Sequence, residues 1–431
     1  MKQSFYEKHK TEIEDIGNSM RSQLLDDVVP FWEKRVGDWK NGGYFNCFDR
    51  MGKQYSDRKS GWFVGRDMYI FSALYRKIRR DQLWLDLAAL GREYMKTGFY
   101  AGNGRFQKML SGSGEVTEGT TSIFTDHFAV KGLYEYIKAC GMADQSDIGF
   151  AEYLTDILLK NVKDQAILRA EGIPGRMQKH AVNFMTLIVL LEGREIFGDY
   201  YDRELKECIR RSLYEFADDS KKVPLEYVGT DGRPTYWKEG RLVDAGHTME
   251  SLWFSIYAGH EMGIEEYRVR AGEILDWVID LCYDETYGGF IQNADMDGGK
   301  PEEEFCVTDY CGIPAAWDSK IWWVQAEGLN ALFLSALYNE NEKHFQYFKK
   351  LYEYTERQFR DRKYGEWFAI LDREGNILCD RKGFELKGPY HIPRCLMEIS
   401  LLAEKYIAAG RNQISERMVE QRTADNEREQ K

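Results

Sequence analysis

Histidine is scarce in this chain, with 7 in 431 residues, and so are proline and cysteine, with 8 each. The cysteines are scattered singly. Cys306 and Cys311, the closest pair, have no second pair and no histidine beside them, so a zinc site is not expected and the thiols read as reduced, in a cytoplasmic protein. An excess of positive charge is also lacking. The formal net charge is -12, and no basic stripe exists beyond the short run RKIRR at Arg76 to Arg80, which excludes a nucleic-acid groove. The longest apolar run, Phe184 to Leu191, is too short to cross a bilayer. The charged start MKQSFYEKHKTEIEDI has no apolar h-region and reads as lacking a signal peptide. No G-x-G-x-x-G follows a strand pattern, and no Walker, H-E-x-x-H or G-x-S-x-G motif occurs, which argues against nucleotide-driven, zinc-protease and serine-hydrolase chemistry. No helix-length segment alternates strictly, so a large sheet is not expected.

Aromatic residues are abundant instead, 14% of the chain with 11 Trp and 27 Tyr, enough to fill a core and line a cleft. Apolar positions recur at helical spacing in about a dozen segments, among them Met68 to Ile78, Ser122 to Ala139, Val182 to Ile196, Met249 to Met262 and Trp322 to Tyr338. Between them a pattern of aromatics, then Asp, then a Gly turn recurs. It appears as GGYFNCFDRMGK from Gly42, YGGFIQNADMDGGK from Tyr287, YGEWFAILDREGN from Tyr364, and more weakly PLEYVGTDGRP from Pro224. Such segments suit short β-hairpins. Helix pairs with periodic hairpins at their junctions predict an all-α repeat architecture, an (α/α)6 barrel with short β-hairpins in the connecting loops. No Pro/Gly/Ser-rich linker divides it, so 1–412 reads as one catalytic domain and the charged end, 413–431, as a frayed tail.

Two of the histidines occupy unusual settings. His391 lies in KGPYHIPRCL, where Pro389 and Pro393 place it at the mouth of a helix and stiffen the turn. His247 lies in DAGHTMESLWF, just after a glycine, and Glu250, three residues on, shares its helix face and could fix its tautomer. A capping or packing role is the plain alternative for each. Arg66, in GWFVGRDMY, is either salt-bridged to Asp67 or held on an aromatic floor as an oxyanion partner. In DSKIWWVQAEGLNALF, adjacent Trp322 and Trp323 suggest one core indole and one cleft indole, beside Gln325 and Glu327. Asp126 and Asn183 are further candidate substrate contacts, and Asp126 with Glu250 would be the acids of a glycoside hydrolase on the same toroid.

From about Phe31 to Tyr406, four blocks in order resemble the N-acylglucosamine 2-epimerase family, which also holds cellobiose 2-epimerases and aldose–ketose isomerases. They are GGYFNCFDRMGK…GWFVGRDMYIFSALYR, GHTMESLWF, KIWWVQAEGLNALF and KGPYHIPRCL. The resemblance implies the (α/α)6 barrel, with His247 and His391 as catalytic histidines. It makes Arg66 the active-site arginine and Glu250 the glutamate beside the first histidine, and it places Trp323 and Glu327 in a substrate-contacting block. It further implies removal and return of the C2 proton of a ring-opened hexose by two histidines titrating near neutral pH, with no metal, nicotinamide or flavin. N-acetylglucosamine/N-acetylmannosamine is the first substrate pair. Val324 and Gln325 look more like cellobiose 2-epimerases, where the N-acylglucosamine branch usually has Pro-His, so a cellobiose-type or free-hexose 2-epimerase or a mannose-type isomerase stays open. A nucleotide effector and a homodimer stay open too.

Overall fold

Two layers of helix follow from where the apolar residues fall. The computed structural model describes residues 4–429, with side chains to residue 411. The described residues form α1 (Phe5–Gln23), α2 (Val29–Glu33), α3 (Gly61–Ala73), α4 (Gln82–Tyr94), α5 (Ile123–Ala139), α6 (Gln145–Asn161) and α7 (Gln165–Ala170). After them come α8 (His180–Phe197), α9 (Asp202–Arg210), α10 (Ala245–Glu261), α11 (Glu265–Cys282), α12 (Trp322–Tyr338), α13 (Glu342–Gln358) and α14 (His391–Glu429). Helices α3, α5, α8, α10, α12 and α14 make an inner ring. Helix α5 is buried from Ile123 to Ala139 at every residue but Tyr136, as a helix surrounded by others must be. The outer α13 buries one stripe only, with Phe345, Phe348 and Leu351 at helical spacing. Successive inner helices pack on one another in chain order, and α1 covers α14. The ring closes where Tyr69 of α3 meets Tyr390, just ahead of α14, at 6.0 Å between ring centroids. This is the expected (α/α)6 barrel.

Short antiparallel strands clasp the loops at one end. Lys59–Ser60, ahead of α3, pairs with Met109–Leu110, with Lys59 opposite Leu110. Met177–Lys179, ahead of α8, pairs with Tyr227–Gly229, and Leu242–Asp244, ahead of α10, pairs with Asn293–Asp295. Lys320–Ile321, ahead of α12, pairs with Ile370–Leu371. Each partner strand comes from the loop before the next inner helix, so the collar fixes the N-terminal turns of the ring relative to one another. Three of the repeated motifs turn alike: the N–H of Gly42, Gly288 and Gly365 donates to the carbonyl of Asp38, Asp284 and Asp361 at 2.8, 2.7 and 2.8 Å. Those glycines have φ of +87°, +84° and +80°, a region other residues enter only at a cost. The copy from Pro224 lacks that glycine: Lys222 takes the positive φ there, at +55°, between Ala217–Asp218 and its partner strand Val223–Pro224.

Helix α3 begins at Gly61, earlier than the Met68 marked by apolar spacing. Its glycines serve proximity rather than propensity: a Cβ on Gly65 would lie 2.1 Å from the carbonyl oxygen of Phe128, so α3 and α5 meet backbone to backbone. The expectation of a frayed end at 413–431 falls on residues whose side chains lie outside the description; the backbone there belongs to α14 as far as Glu429. Among the described residues no helix is long and apolar enough to cross a membrane.

Candidate active site

The collar end of the barrel opens into a cavity of about 390 Å³. Arg66, His247, Glu250, Trp322, Trp323 and His391 line it, all from the first two turns of inner helices. His391 is the first residue of α14. Its Nδ1 donates to Glu327 Oε1 at 2.7 Å, which leaves Nε2 as the basic nitrogen. Glu327 is fully buried; it also accepts from Arg394 Nη2 at 2.6 Å and from Trp253 Nε1 at 2.7 Å, so it orients His391 and does not itself reach the cavity.

His247 is held differently from the sequence expectation. Glu250 does not touch its ring; Glu250 Oε1 accepts from Arg394 Nη2 at 2.5 Å. The imidazole Nδ1 instead lies 3.1 Å from Glu226 Oε1 and 3.2 Å from Asp244 Oδ2. Asp244 is also the N-cap of α10, accepting from the His247 N–H at 2.9 Å, so one carboxylate sets both the helix start and the ring. Gly246 makes room for the Trp323 indole, which a Cβ there would strike at 2.2 Å. That indole lies between the two histidines, with its centroid 5.3 Å from His247 and 5.7 Å from His391. Trp322 is core-like, packed on Tyr310 and Phe384.

The two imidazoles are electrostatically unlike. Burial works against charge on both. At His247 the Asp244 and Glu226 carboxylates overcome it and raise the pKa to about 9. At His391 burial is reinforced by the Arg66 and Arg394 guanidinium groups, only partly opposed by Glu250, and the pKa falls well below the usual histidine value. The expectation that both titrate near neutrality is therefore corrected: at neutral pH His391 is a free base and His247 an imidazolium, an acid–base pair poised in opposite senses. A profile of kcat/KM against pH should stay high through neutrality, fall as His247 loses its proton near about pH 9, and fall on the acid side only as His391 gains one, below the ordinary histidine range. A narrow optimum centred between pH 5 and 6 would contradict this pairing.

Among the described residues Arg66 makes no salt bridge, and Asp67 turns away to accept from Asn46 Nδ2 at 3.1 Å. The guanidinium carbon sits 4.1 Å from the ring centroid of Phe128 and 4.9 Å from that of Tyr390, with Trp62 and Phe63 at 5.2 and 5.4 Å. Its Nε has no partner, and burial lowers its pKa to about 10. A buried cation without a counter-ion is costly, and here it faces the cavity as a ready partner for an oxyanion. Two acceptors on the cavity wall are also unpartnered, Gln292 Oε1 and Asn293 Oδ1, in residues 4% and 5% exposed. Buried acceptors without donors suit a ligand rich in hydroxyl groups.

Besides Glu327, three expected contacts lie off the cavity. Gln325 is wholly buried; its Oε1 accepts from the Phe290 N–H and its Nε2 donates to the Phe290 carbonyl, both at 2.8 Å, so it pins a collar hairpin. Asp126 binds Arg105 Nε at 2.6 Å and the Phe106 N–H at 3.0 Å, on the side of α5 opposite Phe124 and Phe128. Asn183 donates to the Cys208 carbonyl at 2.8 Å and to Ser212 Oγ at 2.9 Å, on the outward side of α8. Each is on the expected helix but out of phase with the cavity by about half a turn or by its packing. Conversely, Glu226, Asp244, Tyr390 and Arg394 were missed. Glu250, Glu327 and His391 each offer a ligand atom, all within 4.8 Å of one another. Arg394 Nη2 already donates to both carboxylates, so the guanidinium supplies the positive charge there.

The sequence pattern of the N-acylglucosamine 2-epimerase (GlcNAc 2-epimerase) family matches residues 43–395. The chain belongs to that family. It is 31% identical to the N-acylglucosamine 2-epimerase of Mus musculus over 389 residues, covering 87% of this chain and 88% of the relative. It is 24% identical to the cellobiose 2-epimerase of Bacteroides fragilis, covering 90% and 99%. Among solved structures, the cellobiose 2-epimerase of Bacillus thermoamylovorans superposes with a TM-score of 0.75 at 18% identity, covering 89% of this chain and 99% of the other, and supports the barrel alone.

Proposed function

We propose that this chain is a sugar 2-epimerase that interconverts N-acetylglucosamine and N-acetylmannosamine through the open-chain aldose. The observation that carries the reading is the pair of oppositely poised imidazoles, each held through Nδ1 by carboxylate and both belonging to residues that line one cavity. A C–H next to a carbonyl is a weak acid, so a nearby base must be matched by a group that takes up the developing oxyanion. His391 Nε2 removes the C2 proton from one face, and Arg66 stabilises the negative charge gathering on the C1 oxygen. The His247 imidazolium returns a proton to the other face, which inverts C2. The reverse direction uses the same groups in exchanged roles. The tie to N-acylated sugars rests on relatives of that name and on the removal of Gln325 from the cavity, since Gln325 was the reason to favour a disaccharide or free hexose. The hydrolase alternative loses its acids: Asp126 is paired with Arg105 away from the cavity and Glu250 is held by Arg394. The eight unpaired cysteines support a cytoplasmic setting.

Incubation with N-acetylglucosamine in deuterated water should give N-acetylmannosamine carrying deuterium at C2, read by NMR. Absence of C2 exchange with N-acetylated and free aldoses alike would overturn the assignment.

A further inference from the structure

The cavity has two unlike walls. On the loop side stand the unpartnered acceptors Gln292 Oε1 and Asn293 Oδ1. On the α8 side the helix itself contributes Ala181, Phe184 and Met185, without a polar side chain among them; Lys179, the residue ahead of the helix, also lines the cavity, with its Nζ 3.9 Å from Glu226 Oε1. The polar residues of the same helix segment are engaged away from it. Asn183 is bonded to Cys208 and Ser212, and Thr186 Oγ1 donates to the Val182 carbonyl at 2.8 Å and meets His127 Nε2 at 3.0 Å. The Phe184 ring stands 5.5 Å from the His247 ring, centroid to centroid, so this apolar wall begins beside one of the two groups that act on C2.

The order of the inner helices then sets the orientation. C2 must lie between His247 of α10 and His391 of α14, in front of Trp323 of α12. Arg66, which takes the C1 oxygen, belongs to α3, next to α14. The wall on the far side, next to α10, is α8. When C2 is planar at mid-reaction, its substituents lie in one plane between the imidazoles. With C1 directed to Arg66, the C2 substituent can turn to α8 while C3 to C6 carry their hydroxyls along the loop wall.

We infer that Ala181, Phe184 and Met185 form an acyl-methyl seat that selects sugars bearing an N-acyl group on C2, the α8 wall being the specificity determinant of the epimerase. This inference rests on the function proposed above. A C2 hydroxyl turned to Ala181, Phe184 and Met185 would leave water and meet no partner among them, a loss on the order of 5- to 150-fold. A methyl group turned to them gains by leaving water, about fourfold for one carbon.

The test compares kcat/KM for N-formylglucosamine, N-acetylglucosamine and glucose in the native enzyme and in Met185→Gln, with Met185→Leu as the volume-conserving control. The native enzyme should prefer acetyl over formyl by about fourfold and should turn over glucose poorly. Met185→Leu should keep both preferences. Met185→Gln should flatten the acetyl-to-formyl ratio and raise glucose relative to the N-acyl sugars. Turnover of formyl at or above acetyl in the native enzyme overturns the seat, and that arm stands even if Met185→Gln fails to fold. So does an acetyl-to-formyl ratio unchanged in a folded Met185→Gln. C2 exchange with glucose but with neither N-acyl sugar overturns the underlying substrate assignment as well, and so is distinguishable from failure of the seat alone.

Discussion

His391→Asn and His247→Asn should each abolish net epimerisation while leaving solvent exchange at C2 of one epimer, and the two variants should exchange opposite epimers. The reason is geometric. Inversion needs a proton to leave one face and another to arrive on the opposite face, and the two Nε2 atoms approach from different helices with the Trp323 indole between their rings. Asparagine can donate a hydrogen bond but cannot hold a proton, so a variant with one histidine can only take the C2 proton and return it to the same side. Loss of general acid–base catalysis at one face costs about 10²- to 10⁴-fold. The unlike environments add a second signature. His247→Asn keeps His391, whose pKa is depressed, so its exchange should already be fast at neutral pH. His391→Asn keeps His247, an imidazolium until about pH 9, so its exchange should be slow at neutrality and rise with pH toward that value. Deuterium uptake into each pure epimer, followed by NMR across pH, reads both. Exchange of the same epimer by both variants would replace the two-base scheme with a single base and an intermediate that turns in the cleft.

The barrel was legible because its two signals are local. Helical apolar spacing marks most of the helices, and the Asp–Gly turns mark the hairpins between them. The start of α3 was not legible, since Gly61 and Gly65 are poor helix formers whose value lies in contact with α5. At the site, His247 and His391 stood out by their Gly and Pro neighbours, and Arg66 by its aromatic setting. Their partners divide by range. Asp244, three residues before His247, and Arg394, three after His391, were within reach of helix spacing. Glu226 reaches His247 because its own N–H is bonded to the Leu242 carbonyl and the following strand Tyr227–Gly229 is pinned to Met177–Lys179, long-range pairings that no local pattern announces. Asp126, Asn183 and Gln325 show the complementary failure. The sequence placed them on the right helices, but the side of a helix that meets a cavity depends on neighbours not yet known.

Arg66→Met should be close to inactive yet at least as stable as the native protein. The guanidinium is buried on the faces of Phe128 and Tyr390 with no carboxylate paired to it, and burial lowers its pKa to about 10. A pKa below the unfolded value means that the folded state disfavours the charge throughout the working pH range, so removing the charge relieves the fold. On the proposed mechanism catalysis loses the group that takes up the oxyanion, at a cost on the order of 10²–10³ in kcat, as for other oxyanion donors. Arg66→Lys keeps the charge but should not restore the rate. An ammonium is a compact, strongly hydrated point charge, without the planar fork that stacks on rings and offers several donors at once. Thermal unfolding and single-substrate kinetics on the two variants separate the roles. A large drop in Tm for Arg66→Met, or near-native kcat for Arg66→Lys, would make Arg66 a structural residue. Activity lost with Tm held or raised is the mark of a strained cation kept for chemistry, where stability is given up at the site that needs it.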